Sequence, residues 1–97
     1  MSKIKLNLMN VPSQDTTFSI KGNKVGVKLL TRGSYLYCSI SINDEARLNG
    51  IICHNKTNII QYPIKELQGS LYFEDTQGDS DPIYDGLNDR WILIYEE

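Results

Sequence analysis

Apolar and polar residues alternate with a period of two along most of this chain, the pattern of half-buried β-strands. Lys3-Ile4-Lys5-Leu6-Asn7-Leu8 alternates strictly and puts Ile4, Leu6 and Leu8 on one face. Asn10 to Asp15 is rich in turn formers, and Pro12 cannot donate to a ladder, so a break is predicted there. Alternation resumes over Thr16–Ile20. Lys21-Gly22-Asn23-Lys24 reads as a hairpin turn, because Gly and Asn accept positive φ, and Val25–Leu29 pairs back. A second turn is predicted at Thr31-Arg32-Gly33-Ser34. Tyr35–Ile42 is the clearest strand: Leu36, Cys38, Ile40 and Ile42 share one face, Tyr35, Tyr37, Ser39 and Ser41 the other. Asn43–Ala46 closes another hairpin, and Arg47–Cys53 returns with a bulge at Gly50.

The pattern loosens between Asn55 and Leu67, where Ile59-Ile60-Gln61-Tyr62-Pro63-Ile64 is apolar but interrupted by proline. An extended segment packed across an end of the sheet is predicted. Gly69–Asp75 is a strand, Thr76–Asp89 a long acidic loop, and Arg90–Tyr95 the last strand. Apolar residues on both faces of that last strand predict a central, covered position. The expected fold is all-β: one domain over residues 1–97, about seven short antiparallel strands, forming a small barrel or a two-layer sandwich.

Composition agrees with this pattern. The 97 residues include twelve isoleucines and one alanine, Ala46, which disfavours a mostly helical protein. A folded chain of 11.1 kDa leaves about 5,700 Å² accessible, enough for one modest core and too small for a cleft between two domains. No apolar run approaches the ~20 residues of a membrane helix. The stretch Met1-Ser2-Lys3-Ile4-Lys5 lacks the apolar run of a secretory leader.

The formal net charge of −2 conceals an asymmetry. Residues 1–73 carry nine Lys or Arg against four Asp or Glu, whereas residues 74–97 carry Arg90 against eight acids. This polarity argues against a nucleic-acid binder, which shows a basic excess on one face. The cations Lys3, Lys5, Lys21, Lys24, Lys28 and Arg32 form either a solvated face or a surface complementary to neighbouring subunits.

Catalytic chemistry has few carriers. Cys38 and Cys53 are too few for a disulfide framework and lack metal spacing. Cys53 precedes the only histidine, His54, but adjacent strand residues point to opposite faces, so thiol and imidazole should diverge. Both cysteines read as buried, reduced and structural. No phosphate-binding loop is present, and no enzyme activity, cofactor or metal is expected. The acidic loop supplies Asp75, Asp79, Asp81 and Asp85. It reads as a solvated loop, a loop ordered by a partner subunit, or a cation site. Its spacing departs from the EF-hand pattern, and Pro82 interrupts it. Tyr35 and Tyr37, predicted to face outward, are the other interface candidates, since aromatics are enriched in interfaces. Trp91 is predicted to be core.

The C-terminal third carries a more specific signal. Gly69-Ser70-Leu71-Tyr72-Phe73-Glu74-Asp75-Thr76-Gln77-Gly78-Asp79-Ser80-Asp81-Pro82 is followed by Tyr84, Gly86, Leu87 and Arg90-Trp91-Ile92-Leu93-Ile94-Tyr95. Earlier come Phe18 and the run Tyr35-Leu36-Tyr37-Cys38-Ser39-Ile40-Ser41-Ile42-Asn43-Asp44. In order and spacing this resembles the baseplate plug family of contractile-tailed bacteriophages over nearly the whole chain, the middle around Asn49–Asn58 departing from it. The resemblance implies a small all-β structural component of the tail baseplate, near the hub and the end of the tail tube, with no catalytic residues. Implied partners are other baseplate proteins (hub, tube end, wedge) in a symmetric multi-copy assembly, with neither nucleic acid nor membrane. The implied location is the virion tail, after assembly in the host cytoplasm. The competing reading is a free-standing β-barrel module that binds a peptide, glycan or single-stranded nucleic acid through Tyr35 and Tyr37.

Overall fold

The alternation seen in the sequence becomes two antiparallel sheets in the computed structural model, which describes residues 3–61 and 64–97. The strands are β1 (Lys3–Leu6), β2 (Ser13–Ile20), β3 (Asn23–Arg32), β4 (Tyr35–Ile42), β5 (Glu45–Ile52), β6 (Ser70–Asp75) and β7 (Trp91–Glu96). Strands β2-β3-β4-β5 form a four-stranded meander, and β1-β7-β6 form a three-stranded sheet with β7 in the centre. Among the described residues no ladder joins the two sheets, so the fold is a two-layer arrangement and not a closed barrel. The accessible surface is 5551 Å².

Turn chemistry sets the meander. Lys21 (φ 52°) and Gly22 (φ 79°) make the β2–β3 turn; Asn43 (φ 51°) and Asp44 (φ 69°) make the β4–β5 turn. Two consecutive positive φ values match the right-handed twist of the strands they join, and Gly, Asn and Asp tolerate that region best. Several strand boundaries differ by a few residues from the sequence expectation, and two of these differences belong together. Strand β2 begins at Ser13, inside the predicted break, with Ser13, Gln14 and Asp15 opposite Leu30, Leu29 and Lys28. Strand β3 continues through Thr31 and Arg32, so the next turn is confined to Gly33 and Ser34. The two extensions hold each other: Thr31 N–H donates to Pro12 C=O at 2.9 Å, just beyond the ladder. The Gln14 side chain also bonds the Met9 backbone in both directions, at 3.0 and 2.6 Å.

Inward residues of both sheets make one apolar core. Val25, Val27 and Leu29 of β3 and Leu36, Cys38, Ile40 and Ile42 of β4 meet Leu71 and Phe73 of β6 and Trp91, Leu93 and Tyr95 of β7. Trp91 is core, as predicted. Ile4, expected to face inward, sits opposite Tyr95 near the open end of the edge strand and stays 41% exposed. The exposed edge of β6 is covered by residues 55–60. Lys56 and Ile59 donate their N–H groups to Phe73 and Leu71 C=O at 2.7 and 2.6 Å. The Asn55 and Asn58 side chains accept the N–H groups of Asp75 and Leu71, both at 2.9 Å. Covering an edge in this way blocks strand addition there. Residues 55–58, which the sequence pattern reads as loop, thus lie along a sheet edge, and so does Ile59, the first residue of the segment predicted to cross an end of the sheet. Tyr62 and Pro63 of that segment lie outside the described residues. Among the described residues no helix is long and apolar enough to cross a membrane.

Candidate interaction surface

The outer face of the meander takes its side chains from the positions that alternate with the core. Strand β3 contributes Lys28, Leu30 and Arg32, and β4 contributes Tyr35, Tyr37 and Ser39. The register sets Lys28 against Ser39, Leu30 against Tyr37 and Arg32 against Tyr35. The bulge expected at Gly50 is present: Ile51 pairs with Cys38 and Leu48 with Ile40, leaving Asn49 and Gly50 opposite Ser39. Gly50 has φ 64°, its N–H donates to Ser39 Oγ at 3.0 Å, and Ser39 Oγ donates to Asn49 Oδ1 at 3.0 Å. A second shift leaves one extra residue, Arg47, between Leu48 and Ala46, the partners of Ile40 and Ser41. Where Ser39 faces the bulge, the face hollows into a groove of about 530 Å³, lined by Lys28, Leu30, Arg32, Tyr37, Ser39, Asn49 and Gly50.

The acidic loop is pinned to the body by one buried carboxylate. Asp75 is 5% exposed and accepts a two-pronged bond from Arg90, Nε to Oδ1 and Nη2 to Oδ2, both at 2.8 Å. The N–H groups of Gln77 and Ser80 donate to the same two oxygens at 2.9 Å. Four charge-assisted bonds use the carboxylate fully. They hold it well below the usual carboxylate range, the Arg90 bonds contributing most and burial opposing them. The Arg90 guanidinium also lies over the Trp91 ring at 4.5 Å, and Trp91 Nε1 donates to Ser80 C=O at 3.0 Å. Further along, residues Tyr84–Gly86 form a single 3₁₀ turn.

Asp81 does something different. It accepts from Asn55 N–H at 3.0 Å and meets His54 Nδ1 at 3.1 Å. Both contacts depress its carboxyl below the ordinary value, the Asn55 N–H first. The His54 ring in turn packs edge-on against Tyr35, with centroids 6.0 Å apart and planes at 76°. Tyr35 and Asp81, distant in sequence, therefore belong to one surface cluster through His54. Tyr37 lies in the groove beside it. Asp79 and Asp85 stand exposed on the loop, while Asp75 is the internal brace that shapes it.

As expected, thiol and imidazole diverge. Cys53 is fully buried, whereas the His54 side chain is 43% exposed and turned to Asp81. Cys38 and Cys53 are both unbridged. Contact with Cys53 and burial push the Cys38 thiol up, away from the reactive thiolate. The sequence reading missed two residues of this surface. Arg90 was signalled by its position as the sole cation among eight acids. His54 had no local signal, because its partner Asp81 is 27 residues away.

Two comparisons bear on the family. A family model described as the cyanophage baseplate Pam3 plug gp18 matches residues 1–97, the whole chain. A search of curated proteins gives no match.

Proposed function

Since the chain belongs to this cyanophage baseplate plug family, we propose that it is a structural part of a contractile-tail baseplate, working through protein–protein contacts near the central hub and tube end. The end-to-end family match carries this reading. The surface supports it: a shaped groove with two cations, an aromatic cluster at its end and a rigid acidic loop suit docking between neighbours. The carboxylates that could serve chemistry have structural uses. Asp75 braces the loop and Asp81 ties it to Asn55 and His54. Among the six residues singled out as interface candidates, Tyr35, Tyr37, Asp79, Asp81 and Asp85 present themselves to neighbours, and Asp75 holds the loop that presents three of them.

Mass spectrometry of purified virion tails tests the reading. The chain is expected in tails at a fixed ratio to hub and tube-end proteins. A Tyr37→Ala, Arg32→Glu double variant that folds normally is expected to be depleted from them. Tails that assemble and function without the chain would sink the proposal.

A further inference from the structure

The groove and the loop are complementary to each other. Among the described residues Lys28 and Arg32 have no carboxylate within ion-pair distance; Asp15, opposite Lys28 on β2, does not reach it. On the loop, Asp79, Asp85 and Asp89 are exposed, and none has a cation partner among the described residues. Between Asp79 and Asp85 stands Ile83, 45% exposed, an apolar side chain flanked by acids. The groove offers the converse, cations flanking Leu30 and Tyr37.

Resting on the baseplate reading above, we propose that the groove on the meander receives the acidic loop of a second copy of this chain. Asp79 and Asp85 pair with Lys28 and Arg32, and Ile83 covers Leu30 and Tyr37. Two observations beyond charge favour a second copy as the occupant. The loop is already ordered by Asp75, Arg90 and Trp91, so docking it costs little conformational entropy. Groove and loop adjoin on one surface: Arg32 pairs with Tyr35, Tyr35 packs on His54, and His54 meets Asp81. A patch basic at one end and acidic at the other is self-complementary across a two-fold axis, which lays each groove on the other copy's loop. The Tyr35–His54 pair falls near that axis, where Tyr35, 41% exposed, gains cover.

Sedimentation velocity on the full chain tests this. Self-association that grows with concentration is expected at low salt, with loss at about 0.5 M salt, where exposed ion pairs are screened. A Lys28→Glu, Arg32→Glu variant and an Asp79→Lys, Asp85→Lys variant should each sediment as monomers. Mixed together they should associate again, because each groove then faces a loop of opposite sign. Lys28→Gln, Arg32→Gln removes charge without adding repulsion and should weaken association about tenfold or more; circular dichroism checks that every variant is folded. A wild-type monomer at all concentrations, association that neither reversal disturbs, or folded reversals that fail to restore each other would overturn the proposal. A chain that stays monomeric yet is retained in tails sinks the self-association alone. A chain absent from functional tails sinks the baseplate reading.

Discussion

The two sheets build one shared core by different means. The meander β2-β3-β4-β5 joins strands adjacent in sequence through tight turns, and its ladders are set by local alternation. The sheet β1-β7-β6 joins the two ends of the described chain, Lys3 opposite Glu96, and β7 reaches β6 only across the acidic loop. Polar side chains organise that second sheet: Asp75 and Arg90 close the loop, and Asn55 and Asn58 seal the edge of β6. The meander is thus specified mainly by apolar pattern and turn geometry. The three-stranded sheet depends in addition on a few polar contacts, of which those to the buried Asp75 are costly to leave unmade.

This difference decides how much was legible beforehand. Strands β3 to β5, the positive-φ turns that join the meander and the bulge at Gly50 follow from residues close together in sequence. The choice between barrel and sandwich did not, because alternation marks an inward face without saying which sheet it meets. Asp75 looked like one more acid in a solvated loop. Its burial depends on Arg90, fifteen residues on, and on N–H groups that only the folded loop aims at it. Alternation alone places Tyr35 and Tyr37 outward on β4, as observed, but the link of Tyr35 to Asp81 passes through His54 and lies outside any local window.

The sharpest way to break the comparison is at the core the two sheets share. Phe73 is fully buried on β6, and its cluster includes residues of both sheets. Phe73→Ala should cost about 3–5 kcal/mol. Chemical denaturation followed by circular dichroism and by tryptophan fluorescence should give one coincident transition, shifted to lower denaturant. A variant in which Trp91 loosens while strand signal persists would show that the meander stands without its partner sheet.

Next is the polar brace of the three-stranded sheet. Asp75→Asn removes the charge that Arg90 pairs with inside the fold, and Tm at neutral pH should fall by on the order of 10 °C. The pH dependence carries the sign. The folded carboxyl of Asp75 is held below its unfolded value, so its contribution is complete above the usual carboxylate range and is lost as pH falls below about 4. Wild-type Tm should therefore drop more steeply below that pH than that of the variant. Parallel curves would mean that the Arg90 pair does not hold the loop closed.

The smallest effect is expected where local geometry alone governs. Gly50 sits at φ 64°, and a Cβ there would meet nothing within 4 Å. Gly50→Ala should cost about 1–2 kcal/mol, the backbone penalty of an L-residue in the left-handed region. Gly50→Asn should cost less, since Asn tolerates that region. A loss much larger than the backbone penalty, with Asn no better than Ala, would mean that the bulge is held by long-range packing. The meander would then be no more local than the sheet opposite it, and the groove that the bulge hollows out would depend on the same buried contacts as the acidic loop.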